Sequence, residues 1–160
     1  MDNLPRELES YLQEHNLKAT ANLGNGQDGD VWKTDDNTAV KRSKRKSNHD
    51  NERRCYLRFE QLGIQEIDGF NIPELVRYDD DLLIVEMTTV SAPYIVDFGK
   101  TYIDRPPDFT PEVWSDWEDM YQEIWEDRWP IVRSAMESLK SVGIYYMDPH
   151  GNNVSFGDDS

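Results

Sequence analysis

Apolar residues at Leu4, Leu8, Tyr11 and Leu12 recur at helical spacing. Asn3 ahead of Pro5 offers a capping side chain, so the chain opens with a predicted helix that ends by Asn16. The period then changes to two. Leu17, Ala19, Ala21 and Leu23 alternate with polar residues and predict a half-buried strand, which resumes after a glycine-rich turn at Val31-Trp32-Lys33. Asp35-Asp36-Asn37 makes a tight turn before a third strand from Thr38 to Ser43.

A helix is predicted from Asp50 to Leu62, closed by Gly63, with Cys55, Tyr56, Phe59 and Leu62 as its apolar stripe. Glu52 lies three, four and seven residues before the first three of these and so shares their face. A carboxylate on a buried face needs a cation, and Lys41 on the preceding strand is the candidate. The alternative places Glu52 in the helix's first turn, facing solvent.

Pro73 to Tyr78 and Leu82 to Met87 read as strands around Asp79-Asp80-Asp81, the second apolar enough for a central position. Irregular chain then runs through Ser91-Ala92-Pro93 to Pro107. Thr110-Pro111-Glu112 starts a helix with Trp114, Trp117, Tyr121 and Ile124 on its buried side. Trp129-Pro130 is expected to break it. A last helix carries Ile131, Val132, Ala135, Met136, Leu139 and Val142 up to Gly143, and a short strand covers Val154 to Phe156. The tryptophan spacing points to core packing and away from a ligand cage.

This order, strand-rich and then helical from near Thr88, predicts an α+β chain of two lobes, 1–87 and 88–160. A length of 160 residues suits one domain or two small lobes. The net charge of −15 excludes general nucleic-acid affinity and fits either plain solubility or a basic protein partner. Charge is uneven: nine acids face Arg105 alone between Ile103 and Asp127, whereas Lys41 to Arg54 holds seven basic residues. Such segments are solvated faces, or, for the basic one, help in holding anions. No apolar run approaches the ~20 residues of a membrane span, and the opening residues lack signal-peptide regions. Cys55 is alone, which fits a reducing cytoplasm; with His15 and His49 in polar surroundings, no metal-ligand spacing is visible.

Candidate chemistry gathers at two places. Gly24, Gly26, Gly29 and Val31 form G-x-G-x-x-G-x-V between two strands, where absent Cβ atoms let backbone N–H groups approach a polyphosphate, and Lys41 follows on the next strand. Alone the motif is also an ordinary mobile turn. Near the other end, Asp148 and Asn153 stand five apart on a Pro/Gly loop, Asp148-Pro149-His150-Gly151-Asn152-Asn153. A carboxylate can orient a hydroxyl and take its proton, and an amide oxygen can hold Mg2+.

Taken in this order, the motifs from Leu17 to Phe156 resemble the protein-kinase-like superfamily. The resemblance implies a five-stranded antiparallel N-lobe sheet with one inserted helix and a reduced helical C-lobe. It implies ATP and Mg2+ as cofactors, with Gly24, Gly26, Gly29, Val31, Ala39 and Lys41 around the nucleotide. Glu52 would pair with Lys41, Val85 would back the adenine pocket, and Glu86 to Thr88 would form the hinge. Asp148 would be the catalytic base and Asn153 a metal ligand. The implied activity is transfer of the ATP γ-phosphate to a hydroxyl acceptor, as in serine/threonine protein kinases.

Departures keep two other readings open. Tyr146-Met147-Asp148 replaces H-R-D, and His150 is the residue that small-molecule phosphotransferases carry at that place, so a small-molecule kinase is one alternative. No D-F-G follows Asn153 before Ser160, which favours a pseudokinase-type nucleotide-binding or protein-interaction module unless Asp158 or Asp159 substitutes. Asp97-Phe98-Gly99 spells the motif ahead of the catalytic loop, either as a chance structural turn or as a relocated metal ligand.

Overall fold

A computed structural model describes residues 4–157. Helix α1 (Arg6–Glu14) starts directly after Pro5, with no side-chain cap on its first turn. The proposed Asn3 cap, like Asp158 and Asp159, lies outside the described residues. Strands β1 (Ala19–Asn25), β2 (Gly29–Thr34) and β3 (Thr38–Ser43) follow as two hairpins, and then helix α2 (Lys46–Leu62). Two-residue strands β4 (Glu66–Ile67) and β5 (Phe70–Asn71) precede β6 (Leu75–Asp79) and β7 (Ile84–Thr88).

The five longer strands form one antiparallel sheet in the order β1-β2-β3-β7-β6, with the apolar β7 inside it as expected. Each face of this sheet has its own helix. Leu8, Tyr11 and Leu12 of α1 pack on Trp32, Val40 and Ile84. Cys55, Tyr56 and Phe59 of α2 pack with Ala39, Val85 and Met87 on the opposite face, because side chains alternate along β3 and β7. The predicted glutamate-bearing helix is therefore present, and Gly63 at φ 68° closes it in the left-handed region. It starts at Lys46, four residues before the predicted Asp50, since the polar segment Lys46-Ser47-Asn48-His49 carries no apolar period to betray it.

The second half contains β8 (Tyr94–Ile95), β9 (Tyr102–Ile103), α3 (Pro111–Trp125), a 3-10 turn (Glu126–Arg128), α4 (Trp129–Ser141), β10 (Ile144–Tyr145) and β11 (Val154–Ser155). Strand β11 pairs antiparallel with β8, which pairs parallel with β5, and β9 pairs with β10. Thr110 caps α3 through its hydroxyl, as predicted. The break between the helices falls at Glu126 and not at Trp129-Pro130; Pro130 sits in the first turn of α4, where its missing N–H costs nothing. The buried stripe of α4, with Trp129, Val132, Ala135, Met136 and Leu139, joins the α2 side of the sheet in one continuous core. The architecture is thus α+β: a five-stranded antiparallel lobe with α2 on its inner face, and a reduced, mainly helical lobe.

Four predicted core positions are exposed: Leu23, Leu62, Ile124 and Ile131. Leu23 lies on the end of β1 that overhangs the sheet, where neither face is covered. Leu62 and Ile131 sit at the last and first turns of their helices, and at Ile124 the buried phase of α3 is taken instead by Trp125.

Gly29 is where the hairpin passes closest to other backbone: a Cβ there would stand 2.1 Å from the carbonyl oxygen of Arg42, whereas one at Gly26 would meet no protein atom within 4 Å. Gly29→Ala is therefore expected to lower unfolding free energy by about 2 kcal/mol, and Gly26→Ala to leave it within about 0.5 kcal/mol, in urea denaturation.

Candidate functional site

Lys41 sits mid-strand in β3, opposite Val31 on one side and Val85 on the other, and its side chain leaves the sheet on the α2 face. Its ammonium donates to Glu52 Oε1, and to Asp97 Oδ1 at 2.9 Å. The other oxygen of Glu52, Oε2, accepts the backbone N–H of Phe98 at 2.5 Å. One amine thus holds two carboxylates, and the deeper carboxylate also ties α2 to the Asp97-Phe98-Gly99 segment.

The charges follow from depth. Burial works against the ammonium of Lys41, but the Glu52 and Asp97 carboxylates outweigh it and raise its pKa, so it stays charged. Glu52, only 1% exposed, is pushed up by burial, with Lys41 pulling the other way. Burial also pushes Asp97 up, yet Lys41 overcomes it and holds the carboxyl below its ordinary value, its side chain being 44% exposed. Of the two acids sharing one cation, the outer one is thus the readily ionised one.

The D-F-G turn is anchored by its middle residue. Phe98 is fully buried, and its ring meets Tyr56, Phe59 and Tyr146 edge-on with centroids 5.1 to 5.5 Å away. Asn51 of α2 donates to the Gly99 carbonyl at 3.1 Å. Asp97 itself holds φ 68°, a conformation that aspartate tolerates better than most residues, while its Oδ1 accepts the Gly99 N–H at 3.4 Å.

The far loop comes to the same place through strand pairing. With β11 beside β8, the Val96 N–H bonds the Asn153 carbonyl at 2.9 Å, and the Tyr146 hydroxyl donates to the Val96 carbonyl at 2.5 Å. Within the loop, Asn153 Nδ2 donates to the Asp148 carbonyl at 2.9 Å. His150 Nδ1 accepts the Asn152 N–H at 3.2 Å, and its Nε2 lies 3.2 Å from Asn153 Nδ2 and 3.4 Å from Asp148 Oδ2. Lys100 and the Tyr146 hydroxyl both feel the charges of Asp97 and Asp148.

A ladder on α3 fixes the loop from below. Trp117 Nε1 donates to the Met147 carbonyl at 3.1 Å, the Tyr121 hydroxyl reaches Asp148 Oδ1 at 3.4 Å, and Trp125 Nε1 donates to the Pro149 carbonyl at 2.5 Å. These residues are four apart, one per helical turn, so three successive polar groups on one face meet three successive loop residues. Trp117 and Tyr121 were read from sequence as core only, and Trp125 was missed. Burial, with the nearby Asp148 charge, pushes the Tyr121 phenol up to about 12, so it remains a donor.

The glycine hairpin stands over this site and is linked to it. Lys100, next after the D-F-G turn, pairs with Asp28 at the hairpin tip at 2.8 Å, and Lys44 donates to the Gly26 carbonyl at 3.0 Å. Gly24 and Gly26 border open space, so packing within the protein does not account for them. Val31, Ala39, Val85 and Met87 line the same face of the sheet as Lys41.

On the segment expected to form the hinge, whose backbone is the implied contact with the base, two groups have partners within the protein. The Glu86 side chain points to the α1 face, where it accepts from Tyr11, Thr38 and Arg77, and these hold its pKa down against burial. The Thr88 N–H donates to the Glu74 carbonyl at 2.9 Å. Met87, between them, is the side chain that turns inward, as two-residue alternation requires. His49, expected in polar surroundings, is fully buried against Asp80 at 2.8 Å; with Asp50 the three could hold a metal ion, but Arg53, bonded to Asp80 at 2.6 Å, already supplies a cation.

No family model and no curated protein matches the chain. Among solved structures, it is similar to APH(2'')-IIa in a ternary complex with streptomycin and ATP, at 23% identity and a TM-score of 0.48 over 57% of this chain and 30% of that one. It is similar also to ADP-bound aminoglycoside phosphotransferase APH(2'')-Ib, at 20% identity and 0.45 over 57% and 29%. A gentamicin complex of APH(2'')-IIa matches at 18% identity and 0.45, over 86% of this chain and 41% of that one. The chain therefore spans well under half of each of these proteins.

Proposed function

We propose that this chain is an ATP-dependent phosphotransferase acting on a hydroxyl acceptor, with Asp97 as its relocated metal-binding aspartate. The observation that carries this reading is the 2.9 Å contact between Lys41 Nζ and Asp97 Oδ1, on a segment bonded through Val96 to Asn153. On this reading, amine, acidic metal ligand, amide and catalytic carboxylate serve one site, although their order along the chain is altered.

The oxygens fit a divalent cation. Asp97 uses Oδ1 for Lys41 and Gly99, leaving Oδ2 without a partner among the described residues. Asn153, though buried, uses its amide nitrogen on the Asp148 carbonyl, and its Oδ1 has no hydrogen-bond partner among the described residues. A carboxylate oxygen and an amide oxygen, with substrate phosphates and water, suit Mg2+. When bound there, the ion would neutralise charge on the transferred phosphate.

The chain's own residues supply the rest. Lys41 holds the triphosphate beneath the glycine hairpin, whose Gly24 and Gly26 N–H groups are here bonded to Asn22 Oδ1 and to the Gly29 carbonyl, each at 2.9 Å, and would have to exchange those partners for phosphate oxygens; Val31, Ala39, Val85 and Met87 enclose the base. Asp148, 37% exposed, presents Oδ1 to the acceptor while Tyr121, His150 and the loop carbonyl bonds fix its plane. The acceptor oxygen attacks the γ-phosphorus, its bond to phosphorus forms as the bridging bond to ADP breaks, and its proton passes to the Asp148 carboxylate. The loop histidine, which the family resemblance associates with small-molecule phosphotransferases, supports a small hydroxyl compound as acceptor over a protein.

A non-catalytic module is the rival reading; the carboxylate of Asp97 beside Lys41 supports catalysis over it. Two substitutions test the proposal in a γ-labelled ATP assay against a panel of small hydroxyl compounds and proteins. Asp148→Asn and Asp97→Asn are each expected to reduce transfer by about 100-fold or more while leaving the fold intact. Undiminished transfer by Asp97→Asn would make the D-F-G segment a structural turn only. Lys41→Met is expected to weaken binding of a fluorescent ATP analogue by about tenfold or more; equal binding would move the triphosphate elsewhere.

A further inference from the structure

Beside the cleft, a groove of about 810 Å3 runs between the start of α2 and the segment after the D-F-G turn. This volume is that of a site for a small ligand of sugar size. Arg45, Asn48, Asn51, Lys100, Tyr102 and Arg105 contribute to its walls. In a chain of net charge −15, this lining is locally basic.

The pairing of these charges decides what fits. Asp104 also lines the groove, but Arg58 holds both of its oxygens, at 2.6 and 2.9 Å, and keeps its carboxyl below the ordinary value. Lys100 is paired with Asp28. The guanidinium groups of Arg45 and Arg105 have no hydrogen-bond or ion-pair partner among the described residues, and both are exposed. The groove therefore presents two uncompensated planar cations, with the Asn48 amide and Tyr102 hydroxyl as further donors. Guanidinium forks match the oxygens of a phosphate or carboxylate. A polycationic acceptor would meet repulsion here.

The groove adjoins the proposed site through two of its wall residues: Asn51 donates to the Gly99 carbonyl at 3.1 Å, and Lys100 pairs with Asp28 of the glycine hairpin at 2.8 Å. We infer that the groove holds the anionic end of the acceptor, a small hydroxyl compound bearing a phosphate monoester, with Arg45 and Arg105 as specificity-determining residues. The acceptor assignment rests on the phosphotransferase reading; the anion site itself does not.

The test measures ribose 5-phosphate, ribose and inorganic phosphate by calorimetry, on protein saturated with a non-hydrolysable ATP analogue and Mg2+ so that the nucleotide cleft is closed to them. Ribose 5-phosphate is expected to bind at least about tenfold more tightly than ribose and to be displaced by inorganic phosphate. Arg45→Glu with Arg105→Glu is expected to abolish that preference while leaving the affinity for the ATP analogue unchanged. Equal binding of ribose and ribose 5-phosphate by the wild-type protein, which needs no variant to fold, would overturn the inference, as would an undiminished preference in the double variant. Failure of the wild-type protein to bind the ATP analogue would instead remove the phosphotransferase reading, and phosphate binding measured without nucleotide would then decide the anion site alone.

Discussion

A single ammonium group placed between two carboxylates, one deep and one near the surface, is the constraint on which the site depends. Lys41 arrives on a central strand, Glu52 on the helix across the sheet face, and Asp97 on a turn from the second lobe. Each alone would be a buried or half-buried charge that folding disfavours. Breaking the deeper pair, Lys41 with Glu52, typically costs about 3–5 kcal/mol, because one buried charge is left uncompensated, whereas the half-exposed Asp97 can lose its charge at smaller cost. The ion cluster thus links the sheet, α2 and the D-F-G turn.

The apolar surroundings determine which geometry that meeting takes. Phe98 fills the space under α2 among three aromatic rings, so the turn that carries Asp97 is fixed by burial one residue away from the charge. On the other side, the α3 ladder of Trp117, Tyr121 and Trp125 grips the loop of Asp148 through its carbonyl groups and carboxylate. A rigid turn and a rigid loop are then joined by the β8–β11 pair. Preorganisation of this kind would suit the proposed phosphoryl transfer, in which positioning and electrostatics supply most of the catalysis.

Much of this was legible in the sequence. The two hairpins, the central strand and the inward face of Glu52 follow from periodicity, and the Lys41–Glu52 pair from the rule that a buried acid needs a cation. The place of Asp97 did not follow, because it depends on Phe98 reaching a core pocket and on strands β8 and β11, each two residues long, pairing across a separation that no local pattern records. Chain order leaves the D-F-G segment either a structural turn or a relocated ligand; the antiparallel pairing of β8 with β11 brings it beside the Asp148 loop whatever that order. Apolar spacing points to Ile124, whereas Trp125 takes the inward place because its indole packs on the core and donates a hydrogen bond to the loop. Strand alternation turns the Met87 side chain inward and Glu86 to the α1 face, which leaves only the backbone of Glu86 to face the site.

The most direct measurement is the binding of Mn2+, as a paramagnetic substitute for Mg2+, to the protein with a non-hydrolysable ATP analogue, followed by electron paramagnetic resonance in wild type and Asp97→Ala. If the outer carboxylate of the Lys41 cluster is the metal ligand, nucleotide-dependent Mn2+ binding is present in the wild type and weakened by about tenfold or more in the variant. Identical Mn2+ binding by the two proteins, with nucleotide bound to both, would contradict the account.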